Sequence, residues 1–188
     1  MPNVITTETL AAIDISRFAR FVPEQYHFFF LGRPGFAPYR LLAYFSTLFN
    51  NTTLVEIGVH NGWGSLALSY NPTNHIVGYD IDLSTLSCTL RDGNPRLSFR
   101  EGIAHKMDPE FLLSVPLIHF DAQHDGIYEQ IFFDFLVAGK YRGLLLLDDI
   151  HQNDPMNKFW TGIKLPKQDL TALGHETGTG LVYFVNVL

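Results

Sequence analysis

A chain of 188 residues, 46% of them hydrophobic, is long enough to bury a sizeable core and falls in the size range of one domain. Thirteen Lys and Arg against 19 Asp and Glu leave a net charge of −6, which argues against a protein that tracks nucleic-acid phosphates, and no local run of basic residues compensates. No apolar run approaches the ~20 residues of a membrane helix, and no basic segment followed by an apolar stretch opens the chain. A soluble, cytoplasmic protein with neither a nucleic-acid nor a membrane partner is the expectation. The single cysteine, Cys88, excludes an internal disulfide framework and reads as a small buried apolar residue.

In chain order, residues 8–21 carry Leu10, Ile13, Phe18 and Phe21 at helical spacing, with Thr7 as a cap. A turn follows at Gly32-Arg33-Pro34-Gly35, and residues 39–49 read as a second helix. From Thr53 onward strands and helices alternate, which argues for a parallel sheet covered on both faces. Strands are predicted at 54–57, 76–79, 97–100, 117–120 and 144–147, with helices at 65–70, 84–91, 108–113 and 127–139. A short helix near 155–163 precedes two final strands, 169–173 and 181–187, joined by a turn-rich segment from Gly174 to Gly180. The expected fold is α/β, a Rossmann-like, seven-stranded, mostly parallel sheet ending in an antiparallel hairpin. Residues 1–50 form an N-terminal helical cap and 51–188 the core of a single 1–188 domain. Ligands of such sheets bind beyond the C-terminal strand ends, where the strand order reverses.

The segment Glu56-Ile57-Gly58-Val59-His60-Asn61-Gly62-Trp63-Gly64-Ser65 supplies the chemistry after the first strand. Glycines between a strand and a helix let backbone N–H groups come close to a ligand. The spacing E-x-G-x-x-x-G-x-G is not the G-x-G-x-x-G of dinucleotide-binding proteins, and an acid ahead of the turn suits a ligand carrying positive charge. Asp80, 24 positions after Glu56, ends the second strand, where a carboxylate can accept from both hydroxyls of a ribose. Asp121 and His124 follow the fourth strand, and Asp148, Asp149 and His151 follow the fifth. Asp121, Asp148 and Asp149 are an oxygen set suited to magnesium, or one carboxylate or histidine takes a proton from an acceptor hydroxyl directly. Asp125, ahead of Gly126, reads as a cap for the helix that follows.

The first of these motifs resembles that of class I S-adenosylmethionine-dependent methyltransferases. With Asp121-Ala122-Gln123-His124 and Leu144 to Asp149 added, the chain looks like the small O-methyltransferases of the "methyltransferase domain 24" type. It is also similar to catechol, caffeoyl-CoA and macrolide sugar O-methyltransferases. The resemblance implies that Glu56, Gly58, Asn61, Gly62 and Gly64 hold the methionine portion of S-adenosyl-L-methionine and Asp80 its ribose. Ile103 stands at the adenine edge, where many relatives carry an acid, and Asp121 lies beside the cofactor. By the same resemblance Asp121, Asp148 and Asp149 bind Mg2+, although Asp149 stands where the catechol type commonly has Asn. Without metal, Asp121 or Asp149 is the base, helped by His124 or His151. Tyr39 and Arg40 are candidate acceptor contacts, Tyr26 to Phe30 can cap the site, and Trp63 can shield the cofactor.

The activity implied is methyl transfer to a hydroxyl of a small acceptor, a sugar by preference and a phenol as the competitor. The acid pair resembles that of the sugar-modifying relatives. Two further classes are weighed: a catalytically silent cofactor-binding module, and an NAD-dependent oxidoreductase, which the glycine spacing disfavours. The arrangement fits a homodimer or a domain of a longer polypeptide.

Overall fold

The computed structural model describes residues 5–184, apart from the side chains of Cys88, Arg91 and Asp92. The expected burial of Cys88 and the last predicted strand residues, 185–187, therefore lie outside the described residues. Seven strands, β1 (Thr53–Ile57), β2 (His75–Asp80), β3 (Leu97–Glu101), β4 (Leu117–Phe120), β5 (Leu144–Asp148), β6 (Lys167–Asp169) and β7 (Thr179–Tyr183), form one sheet in the order β3-β2-β1-β4-β5-β7-β6. β1 to β5 are parallel; β7 runs antiparallel to both β5 and β6. This is the mostly parallel sheet with a terminal hairpin that the sequence predicts.

The helices are α1 (Thr7–Ala11), α2 (Phe28–Leu31), α3 (Tyr39–Thr47), α4 (Trp63–Leu68), α5 (Cys88–Gly93), α6 (Ala104–Met107), α7 (Pro109–Ser114), α8 (Ile127–Ala138) and α9 (Asp154–Gly162). Alternate strand residues feed two cores. Leu54, Leu117, Leu146 and Leu181 face α3 and α4 together with Leu41, Leu42, Phe45 and Leu66. Val55, Ile118, Leu145 and Val182 face the opposite side with Phe132, Phe133 and Leu136 of α8 and Phe159 and Trp160 of α9. Covering both faces is why the strands read as continuous apolar runs rather than alternating ones. The N-terminal segment thus completes one face of the sheet.

Of the boundaries that differ from the sequence expectation, four have a clear local reason. The first predicted helix is broken, because Asp14 Oδ1 accepts from Ser16 N at 2.9 Å and turns the chain into a 3₁₀ segment, Ser16–Phe21. Its cap is Thr6, not Thr7, with Thr6 Oγ1 accepting from Thr9 N. The start of α5 moves to Cys88, since Asp82 Oδ1 accepts from Ser84 N at 2.8 Å and holds the preceding residues in turns. The sixth strand ends at Asp169 rather than starting there: its carboxylate takes the Thr171 N–H at 3.0 Å, and Leu173 N bonds back to Leu170 O. Asp125 does cap α8, its Oδ1 accepting from Ile127 N at 2.8 Å and Tyr128 N at 2.9 Å.

Candidate active site

The strand order reverses between β1 and β4, and their C-terminal ends open a crevice there. Gly58, the first residue past β1, adopts φ +88, and a Cβ on it would stand 1.8 Å from the Asp121 carbonyl oxygen. Only glycine lets the two strand ends meet this closely. Asp80 Oδ2 accepts from Val59 N at 2.8 Å and from His60 N at 2.9 Å, so this carboxylate shapes the glycine turn while also lining the crevice.

Glu56 is buried on the face covered by α3 and α4. Its carboxylate accepts from Ser65 Oγ and lies 3.3 Å from His119 Nδ1 on the neighbouring β4. Gly64 is required beside it, because a Cβ there would stand 1.8 Å from Glu56 Oε1. Burial disfavours charge on His119, but the hydrogen bond and charge of Glu56, with Asp121 and Asp148 behind it, win and raise its pKa. His119 was not singled out from the sequence; its register opposite Glu56 is the signal that could have found it.

Two adjoining cavities occupy the crevice, of about 250 and 280 Å³, and share Gly58, His60 and Asp121. Together they fall within the ~300–1,000 Å³ of small-molecule sites. The first runs over β2 and is lined by Tyr79, Asp80, Ile81, Gly102 and Tyr128. The second lies under the N-terminal segment and is lined by Tyr39, Glu56, Asn61, Trp63, Gly64 and His124. Trp63 packs at a tilt against Tyr26 and Phe29, with ring centroids 5.1 and 6.0 Å away, so the cap reaches the second cavity through aromatic contacts. Phe30 is fully buried and Phe28 half exposed, which divides the expected aromatic cap between core and surface.

Beyond β4 and β5 lies a compact ionic cluster. His124 places Nδ1 2.8 Å from Asp149 Oδ2 and Nε2 3.1 Å from Asp121 Oδ1. His175, from the turn before β7, places Nδ1 3.4 Å from Asp148 Oδ2 and 3.3 Å from Asp149 Oδ1. Asp149 also accepts from Thr177 Oγ1, and from Gln152 Nε2 at 3.0 Å. Burial pushes the Asp149 carboxyl up, but these bonds from His124, His175 and Thr177 outweigh it and hold the group well below the usual range. His124 is raised, chiefly by its bond to Asp149, and His175 is pushed up to about 10 by Asp148 and Asp149. Asp121 goes the other way: burial and the charges of Asp148 and Glu56 push it up to about 7, against the opposing pull of His119 and His124.

Several sequence-predicted site residues fall elsewhere. Ile103 caps α6 and is not on a cavity wall; Gly102 and the exposed Ile81 take that place over β2. Gly62 caps α4 with φ +85, a Cβ there would meet Leu86 and Leu90, and it lines neither cavity. Arg40 points away from the cavities and donates to the carbonyls of Ile13 and Gly32, tying the cap together. His151 is exposed, with Nδ1 2.9 Å from Asn157 Oδ1 and Nε2 2.7 Å from Asp169 Oδ2, and it fastens α9 to β6. His175 was missed because its importance depends on the antiparallel return of β7 beside β5.

No protein-family model and no curated protein matches the chain. Among solved structures, SAH-bound methyltransferase PaMTH1 of Podospora anserina is similar with a TM-score of 0.59 and 15% identity, covering 97% of this chain and 99% of that one. Cofactor-bound Rv0187 from MTB gives a TM-score of 0.56 and 15% identity, covering 98% and 94%. The O-methyltransferase from Bacillus cereus in complex with SAH gives 0.55 and 15%, covering 96% and 91%. At these identities the likeness is one of fold: this chain has the seven-stranded, Rossmann-like architecture of those methyltransferases.

Proposed function

We propose that the chain is an S-adenosylmethionine-dependent O-methyltransferase acting on a hydroxyl of a small acceptor, with Asp121 as general base. The observation that carries this reading is the position of Asp121. It lies on the wall shared by the two cavities, one holding the ribose-type acid Asp80, the other roofed by Tyr39 and Trp63. The two glycines whose Cβ atoms would collide with Asp121 and Glu56 leave the room a ligand needs along this crevice. Glu56, Gly58, Asn61 and Gly64 would hold the methionine end of the cofactor, Asp80 its ribose, and Ile81, Gly102 and Tyr128 its base. When bound, the cofactor supplies an electrophilic methyl carbon on a sulfonium leaving group.

The protein's own contribution is alignment and proton removal. Holding both reactants in near-attack geometry is worth roughly 7–11 kcal/mol. As the acceptor oxygen bonds to the methyl carbon and the carbon–sulfur bond breaks, the hydroxyl proton passes to an Asp121 carboxylate oxygen. A base with a pKa about 7 is matched to neutral pH, where both its forms are populated. Asp149 is unsuited to that role, because His124, His175, Thr177 and Gln152 already use its oxygens. His124 acts as a positioning residue that fixes Asp121 from behind.

For the acceptor, a sugar hydroxyl is the first choice: its high pKa makes a tuned base necessary, and Tyr39 and Trp63 offer faces on which a sugar ring can stack. The same aromatic wall favours a phenol as the second reading. Screening nucleotide sugars, glycosides and phenols for S-adenosylhomocysteine production tests both. Calorimetry with S-adenosylmethionine tests the cofactor half: Asp80→Ala is expected to weaken binding, and unchanged binding would remove Asp80 from the site.

A further inference from the structure

The magnesium expected from the sequence does not fit the residues present. We infer that the His124 ring fills the place between Asp121 and Asp149 that a divalent cation would need, so that this site works without a metal ion. The argument is geometric. A histidine that ligates an ion turns one nitrogen toward it, with the carboxylates converging on the same point. Here the two nitrogens of one ring each meet a different carboxylate, Nδ1 at 2.8 Å from Asp149 and Nε2 at 3.1 Å from Asp121. A cation bridging those carboxylates could enter only by expelling the ring.

The ring is held there by strained backbone. Gln123 and His124 both have positive φ, 67° and 57°, and Asp149 opposite them has 58°. Left-handed conformations are unfavourable for a non-glycine residue and persist only where the surroundings impose them. The surroundings are identifiable: His124 N donates to Glu129 Oε1 at 2.8 Å, and Asn153 Nδ2 donates to His124 O at 2.9 Å. Asp149 also accepts from Thr177 and Gln152, His175 Nδ1 stands 3.3 Å from Asp149 and 3.4 Å from Asp148, and Thr179 Oγ1 reaches Asp148 at 3.5 Å. Among the described residues, the two groups whose ligand atoms lie within 4.8 Å of one another, Asp121 with His124 and Asp149, and Asp148 with Asp149 and His175, each include a histidine, whereas magnesium demands near-octahedral oxygen ligands and keeps several waters. Two imidazoles, when protonated, supply among three carboxylates the charge that one divalent ion would bring.

The test uses the full chain and Mn2+ as the probe, followed by electron paramagnetic resonance of the free ion. Wild type is expected to take up no saturable Mn2+, whereas His124→Ala, with the ring gone, takes up one Mn2+ per chain with saturation. Wild-type uptake of one Mn2+ per chain that His124→Ala loses would make His124 a ligand and overturn the inference. Failure of both proteins to bind would overturn it too, since removing the ring would then open no cation place. Should His124→Ala not fold, the wild-type ring resonances decide: survival in millimolar Mn2+ supports the inference and selective broadening refutes it. The inference rests on the methyltransferase reading only for its activity arm, full turnover in excess chelator. A chain that binds no S-adenosylmethionine would sink that reading and leave the Mn2+ result standing.

Discussion

His124 Nδ1 lies 2.8 Å from Asp149 Oδ2, a link across the ends of two neighbouring parallel strands. Asp149 is buried, and it neutralises two histidines at once. Replacing it by Asn leaves both imidazoles without their shared counter-charge, and breaking such a buried pair costs about 3 kcal/mol. Asp149→Asn should therefore unfold at lower urea concentration. Because Asp149 lines neither cavity, its S-adenosylmethionine affinity should be close to wild type while turnover falls.

On the proposed reading, Asp121 as the base sets the pH dependence of the rate. With its pKa pushed up to about 7, the basic form grows tenfold per pH unit below that value and saturates above it. The rate under saturating substrates should rise with unit slope toward pH 7 and then level off. Asp121→Asn should lose ~10²–10⁴-fold in turnover and keep cofactor binding. The linkage has the opposite sign to an ordinary salt-bridged acid. Folding favours the neutral form, so Asp121 costs stability as pH rises from its usual value of 3.8 toward 7. Asp121→Asn should thus be the more stable protein above pH 7, by on the order of 1 kcal/mol after solvent screening.

His175 predicts an alkaline transition. Its folded pKa of about 10 lies above the ordinary 6.5, so its stabilisation is complete below about 6.5 and is lost as pH rises through 10. Thermal melts of the wild type should fall across that window. In His175→Gln the fall should be shallower, and an unchanged slope would show that the imidazole is not paired in solution.

How much of this was legible beforehand varies with the range of the interactions. The strands of the parallel sheet and the glycine turn are local patterns, and they appear at the expected places because burial on both faces demands continuous apolar runs. Asp80 and Asp121 are singled out by strand-end position read together with the glycine pattern, and both line the crevice. His119 and His175 do not, since each meets its partner only through sheet register, opposite Glu56 and beside Asp148. Arg40 and His151 look equally suited to chemistry in the sequence, yet backbone carbonyls claim one and Asn157 and Asp169 the other.

Arg40 supplies a check on that distinction. Its bonds to two carbonyls of the N-terminal segment are charge-assisted, and losing them should cost about 2 kcal/mol. Arg40→Ala should melt earlier, while S-adenosylmethionine affinity in the folded protein stays the same. A large loss of affinity at unchanged stability would return Arg40 to the binding site.

The crevice itself is tested by Gly58→Ala. A side chain at φ +88, with its Cβ driven against the Asp121 carbonyl, combines strain with overpacking and should cost about 3 kcal/mol. What remains folded should bind S-adenosylmethionine at least tenfold more weakly, because the β1 and β4 ends are forced apart.

The most direct measurement is calorimetric titration of S-adenosylmethionine into the wild-type chain and Asp121→Asn, with chelator present and NAD as the control ligand. One site per chain in both proteins, no heat with NAD, and turnover only in the wild type are the predicted results. A chain that gives no heat with S-adenosylmethionine, or that binds NAD in its place, contradicts the account.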